Sequence, residues 1–245
     1  MLGFVSVLLV LVFGPAAPWF VAADRVIYDQ IASHVRTEPL GDATIVSINP
    51  SKKSRDEVIA EYGRLLERLS AAGAARVVMA EPPEFGAKES LPGWAGMLAG
   101  EMPVFVPMEH RLADIAKHTG VMNLRRDSDD VLRQTRLWHL QGGTMVPALP
   151  LAVALQSQEV AADPRVAYAD VSIFFANYAA VDRLAPETIL SADFDEATLR
   201  GRTVFLDAAP ALVGAVAALP SGQFVTASEI TAQLLSDIQR GVTVV

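Results

Sequence analysis

Cysteine is absent from the 245 residues, which removes disulfides, thiolate nucleophiles and every Cys-based zinc or iron–sulfur site at once. Positive charge is also scarce: Lys and Arg number 20 against 28 Asp and Glu, a formal net charge of -8. A nucleic-acid module needs a cationic face to displace counterions from phosphate, so nucleic acid is not an expected partner. Phosphate-cradling patterns are missing, with no G-x-G-x-x-G after a strand and no Walker-type Gly-Lys-Ser/Thr. No G-x-S-x-G elbow supports a serine nucleophile. The histidines His34, His110, His118 and His139 have no H-E-x-x-H or comparable spacing with carboxylates. No catalytic residue, metal or cofactor is therefore assigned. What the chain does have is apolar mass: 51% hydrophobic against 20% charged residues suits one large or two small globular domains and excludes a disordered chain.

Leu2 through Ala23 carries no charge, and as a helix those residues reach about 33 Å, enough for a hydrocarbon core of about 30 Å. Val21-Ala22-Ala23 also has the small-residue pattern of a signal-peptide cleavage site, so a retained membrane helix and a cleaved signal both remain open. Pro15, Pro18 and the lack of a polar face argue against a buried core helix. Either reading puts residues 24–245 outside the cytoplasmic membrane, in the periplasm or at the cell exterior.

Ala43 to Ile48 is a short β-branched run that predicts a buried strand. Ser54 and Glu57 form a capping-box pattern, and Val58, Tyr62, Leu65, Leu66 and Leu69 keep helical spacing until Gly73. Arg76 to Ala80 predicts a second strand, so the sheet starts with a parallel βαβ unit. Further strands are expected at Val104–Val106, Val131–Leu140, Ser172–Ala176 and Thr203–Leu206, with a short helix near Leu112–Ala116. Gly142-Gly143 marks a hairpin. Pro147–Gln156 reads as a helix packed on that hairpin, with Pro150 in its first turn. Ala192–Leu199 reads as a short helix, and Ala227, Ile230, Thr231, Leu234 and Ile238 share the face of a last one. The expected fold is α/β: a single domain with a mixed, centrally parallel sheet and flanking helices, behind an N-terminal transmembrane helix at residues 1–23.

In an open parallel sheet the ligand crevice lies beyond the carboxyl ends of the strands. Asn49, Glu81 and Asp207 follow apolar strands at that edge and are the candidate ligand-binding residues; ordinary strand-ending loop positions are the alternative. Asp127-Ser128-Asp129-Asp130 starts like a calcium loop, but Leu132 and Trp138 stand where Gly and Glu are required, so it reads as a turn.

In this order the elements resemble the second type of the CHASE family, the cyclase- and histidine-kinase-associated sensory extracellular domains of bacteria. The resemblance rests on DRVIYDQI (Asp24–Ile31), ATIVSINP (Ala43–Pro50), LLERLSAAGAARVVMAEPP (Leu65–Pro83), GVMNLRRDSDDVLRQTRL (Gly120–Leu137), PALPLAVAL (Pro147–Leu155) and LRGRTVFLDAAP (Leu199–Pro210). Asn123, Asp127, Asp129 and Arg133 carry much of it. The chain departs from the family at Asn49-Pro50, Glu81, Asp129-Asp130, Leu206-Asp207 and Glu229-Ile230-Thr231-Ala232-Gln233, which suggests a divergent member with an altered pocket.

The resemblance implies a sensor and not an enzyme. It sits between an N-terminal membrane helix and further C-terminal ones, feeding a cytoplasmic cyclase, cyclic-dinucleotide enzyme or kinase that is not in this sequence. The apolar Val242–Val245 is where a next membrane helix is expected to begin. The implied partners are a small-molecule or protein signal, the membrane through residues 2–23, and a second copy in a homodimer. Two other readings stay open: an exported enzyme using Glu81, Asp207 and the 127–130 turn, and a degenerate scaffold or dimerisation module. A route for the signal is expected where Val26, Ile27 and Ile31 face Ile230, Leu234 and Ile238, with both chain ends on one side.

Overall fold

The computed structural model describes residues 22–23, 25–27, 29–30, 42–50, 53–85, 91–124, 131–132, 134–157, 170–172, 181–208, 217–218 and 224–239. Strand β1 (Ala43–Ile48) leads through helix α1 (Arg55–Ala71) to β2 (Arg76–Met79). Helix α2 (Pro92–Leu98), β3 (Val104–Pro107), a 3₁₀ turn (Arg111–Asp114) and β4 (His118–Gly120) follow. Next come β5 (Gln134–Arg136), the hairpin β6 (Trp138–Gln141) and β7 (Thr144–Pro147), and α3 (Leu149–Gln156). The chain continues through β8 (Asp170–Ser172), β9 (Asp182–Leu184), α4 (Pro186–Ile189) and a 3₁₀ turn (Glu196–Thr198) to β10 (Thr203–Ala208). It then forms β11 (Ala217–Ala218), β12 (Phe224–Val225) and α5 (Ala227–Gln239).

Helix α1 starts and stops as its residues dictate. The Ser54 hydroxyl accepts from Glu57 N, the Glu57 carboxylate accepts from Ser54 N, and Gly73 takes a φ of 74° just past the end. Its inner stripe of Tyr62, Leu65, Leu66 and Leu69 is buried.

Six strands form one sheet in the order β4-β3-β2-β10-β1-β9, and every pairing in it is parallel. The expected mixed sheet is thereby corrected. Among the described residues, antiparallel pairing is confined to separate two-stranded ribbons: β6 with β7, β5 with β8, and β11 with β12. The stretch read as one strand from Val131 to Leu140 breaks at Leu137, because its two halves pair with different partners and Leu137 itself turns into the core. Gly142 and Gly143, at φ 55° and 84°, make the two-residue turn whose twist suits a hairpin. The strand expected at Ser172–Ala176 begins earlier, at Asp170, and residues 173–180 lie outside the described residues.

The crossover from β1 to β2 passes over β10, and that from β9 to β10 passes over β1. Both step the same way along the sheet. Right-handed crossovers then lie on one face: α1, α2, the 111–114 turn and α4 cover Val46, Ile48, Val77, Met79, Val204 and Leu206. The opposite face, with Ile45, Val78, Phe105 and Phe205, packs under α3 and α5. Helix α3 packs on β3, β4 and α5 and is apolar all round, as a helix enclosed on every side must be.

Helix α5 spends its apolar face on this core: Ile230, Leu234 and Ile238 are all buried. Val26 and Ile27, in helical turns near the N-terminus, are 62% and 59% exposed, so the expected seam between these two faces does not form through them. Ile31, Asp24 and Val245 lie outside the described residues, as do residues 2–21 of the expected membrane segment, the expected 127–130 turn and Arg133. Among the described residues no helix is long and apolar enough to cross a membrane.

The start of α3 is bound to the end of β4 by Val121 N to Pro147 O and Leu149 N to Val121 O, both 2.9 Å. Gly120 permits this approach, since a Cβ there would lie 2.5 Å from Leu149 Cα and 2.8 Å from Leu149 N. Backbone cannot yield as a flexible side chain does. Gly120→Ala is expected to lower unfolding free energy by about 1–3 kcal/mol. Gly96→Ala, at an exposed position in α2 with open space around it, is expected to raise it by about 0.5–1 kcal/mol. Urea unfolding of both variants checks the pair.

Candidate functional site

The three residues expected at the carboxyl edge of the sheet have different settings. Asn49 is exposed one residue past β1. Glu81, two residues past β2, is half-buried, and its backbone carbonyl accepts a 2.8 Å hydrogen bond from the Tyr62 hydroxyl. Asp207 is the penultimate residue of β10 and has no exposed surface.

Side-chain alternation points Asp207 to the same face as Phe205, toward α5. Its register partner on β1 is Ser47, and one strand further Arg183 of β9 lies opposite Ile45. Three neighbouring strands thus present Asp207, Ser47 and Arg183 on one side, just where α5 begins. Arg183 donates to Ser47 Oγ at 3.0 Å and forms an ion pair with Glu229 of α5. Glu229 also closes the first turn of its helix: its Oε2 accepts from Thr226 N at 2.7 Å, while Glu229 N donates to Thr226 Oγ1 at 3.2 Å.

Glu229 consequently holds both the guanidinium and the helix-capping donor. Ser228 Oγ donates to Leu206 O at 3.3 Å. Among the described residues, neither Asp207 oxygen completes a hydrogen bond. Burial is the main force on this carboxyl and pushes it up to about 6; Glu229 pushes the same way, while the Thr226 and Ser228 hydroxyls and Arg183 pull it down. Tyr62 faces the same edge from α1, its phenol driven upward by burial first and then by Asp207, Glu81 and Glu61. Lys53 compensates the buried Glu61 at 2.6 Å.

Sequence reasoning singled out Asp207, named Glu229 only as part of a departure from the family motif, and missed Thr226 and Arg183. Thr226 and Glu229 repeat the Ser54–Glu57 spacing ahead of an apolar helical run, which is the signal that marks them. Arg183 had no such signal, because Asp182–Leu184 lacks the apolar pattern of a strand.

Other polar positions offer less. His110, His118 and His139 are all held below the usual imidazole range, chiefly by burial. Among the described residues no group of three or more His, Asp or Glu is placed to hold a metal ion. A cleft of about 410 Å³ opens between α1 and α2, lined by Leu66, Glu67, Ser70, Ala71, Gly96, Met97, Gly100 and Met102. It lies by the C-terminal half of α1, toward the opposite end of the strands from Asp207.

The class this arrangement defines is a parallel α/β domain with helices on both faces of its sheet and a buried acidic pair at the sheet's carboxyl edge. The chain belongs to the CHASE2 domain family, whose model matches residues 4–244. CHASE2 domains are extracellular sensory domains of signalling receptors. Comparison with curated proteins and with solved structures returns no match.

The raised Asp207 carboxyl fixes the sign of a pH effect. The native state holds this proton more tightly than the unfolded chain, so the contribution to stability is largest below about pH 4 and is lost as pH rises toward 6. Asp207→Asn removes the titration. From pH 4 to pH 7 the native chain is expected to lose about 2 kcal/mol more than this variant, read from urea midpoints of both at each pH.

Proposed function

We propose that the chain is the extracytoplasmic sensor domain of a membrane-bound signal-transduction receptor. It is held at the cytoplasmic membrane by residues 2–23 and passes a periplasmic signal to a cytoplasmic cyclase, cyclic-dinucleotide enzyme or kinase. The observation that carries this reading is the family match across residues 4–244. The charge-free stretch Leu2–Ala23, long enough for a bilayer, supports the anchor. A signal must bind two states of the domain with different affinity if it is to shift them, so the relevant contacts belong where sheet and helix meet.

The site chemistry favours this over an exported enzyme built on Glu81 and Asp207. An acid–base catalyst has to come within hydrogen-bond reach of its substrate, and the Asp207 carboxylate is closed off beneath α5. Glu81 lies only partly buried beyond β2, with its carbonyl engaged by Tyr62.

The absence of cysteine from these 245 residues makes location testable in a receptor whose other cysteines, where present, are replaced by Ser. Glu187, whose side chain is 74% exposed, is replaced by Cys in the membrane-embedded receptor. Intact cells are then treated with a maleimide that cannot cross the inner membrane. Labelling without lysis is the expected result; labelling that requires lysis overturns the extracytoplasmic reading. N-terminal sequencing that finds Asp24 as first residue would replace the anchor by a cleaved signal.

A further inference from the structure

Asp207 is a buried carboxyl that the Thr226 and Ser228 hydroxyls and Arg183 influence from nearby without completing a hydrogen bond to it. Buried polar groups are normally satisfied by hydrogen bonds, yet both of its oxygens lack a partner among the described residues and the residue has no exposed surface. Glu229 has taken what would satisfy it: the Arg183 guanidinium and the Thr226 backbone N–H.

Geometry restricts what such a site can bind. Two neighbouring acids sharing one guanidinium repel an anion, even at a helix N-terminus. A multivalent metal lacks the three or more acidic or imidazole ligands that would hold it among the described residues. An organic ligand has no access to oxygens sealed from solvent. A proton needs neither space nor further ligands.

We propose that the proton is a ligand of this domain, bound at Asp207, and that its binding tightens the seat of α5 on the sheet. As a signal this rests on the sensor reading above; as a binding event it does not.

The groups facing Asp207 are Glu229, Thr226 and Ser228 at the start of α5 and Arg183 from β9, with uncharged Ser47 beside it on β1, while Tyr62 of α1 feels its charge from the other face of the sheet. Tyr62 itself faces Glu81 and Glu61, and its raised phenol stays neutral across the range concerned. With Asp207 ionised, two carboxylates press on each other between β10 and the first turn of α5. Protonation removes that repulsion and turns a partnerless acceptor into a donor. Burial places the transition near pH 6, between mild acid and neutrality.

Two measurements on the unmutated chain test this. Side-chain carboxyl ¹³C NMR is expected to show one aspartate titrating near 6, with that signal absent from Asp207→Asn. Hydrogen exchange, corrected for the intrinsic pH dependence, is expected to show protection in 227–239 falling by up to about a hundredfold between pH 4 and 7. That is the ratio set by a rise from 3.8 to about 6. Glu229→Gln frees Arg183 for Asp207 and is expected to lower the midpoint.

An Asp207 that titrates in the ordinary carboxylate range, or α5 protection that does not follow its titration, overturns the proposal. Either result leaves the maleimide test untouched. Conversely, a cytoplasmic location refutes the sensor reading without altering the titration.

Discussion

The structure depends on the insertion of β10 between β1 and β2. Those two strands come from the first third of the chain and are joined by a single helix, yet they do not touch. Each pairs instead with residues 203–208, and Thr203 to Leu206 is hydrogen-bonded on both sides. A strand in that position is flanked by parallel neighbours and covered on both faces. It is therefore written as a continuous apolar run, Val204-Phe205-Leu206, with both side-chain sets buried. The polar residue that follows cannot reach water. Asp207 is buried because β10 extends one turn of the pleat further than β2, under the beginning of α5.

Everything at the carboxyl edge follows from that forced burial. Arg183 stands on the edge strand β9, where a charged side chain can keep part of itself in solvent, and reaches inward across β1. Glu229 reaches down from α5 to meet it. The pair forms where one partner is largely buried and the other remains 43% exposed, so the full cost of desolvating two charges is avoided. Asp207 receives only a share of the field of this pair. On the other face Tyr62 and Glu61 use conventional solutions, a carbonyl acceptor and a lysine, which leaves the asymmetry between the faces as a property of this particular edge.

Local signals in the sequence were read correctly where local physics decides the outcome. The capping box at Ser54, the Gly142-Gly143 turn, Pro150 in the first turn of α3 and the buried runs at Ala43 and Thr203 depend on near neighbours alone. Strand order does not: nothing within Ala43–Met79 announces that a third strand will separate the two already present. The short edge strand β9 was illegible because it is built from Asp182, Arg183 and Leu184, the charged composition that protects an edge. The site divides along the same line. Asp207 was legible as a strand-ending acid, whereas its proximity to Glu229 and Arg183 depends on three separate chain crossings.

The order of the strands also constrains the chain while it is being synthesised. Before residues 203–208 emerge, β1 and the β2-β3-β4 group have open hydrogen-bonding edges where β10 will later lie. The sheet cannot close as translation proceeds, because its central strand is among the last to be made. Until residues 203–208 have emerged, the nascent domain therefore remains two incomplete fragments, each with a sticky edge that another chain can pair with. Holding those edges apart until the final strand arrives falls to whatever receives the nascent chain.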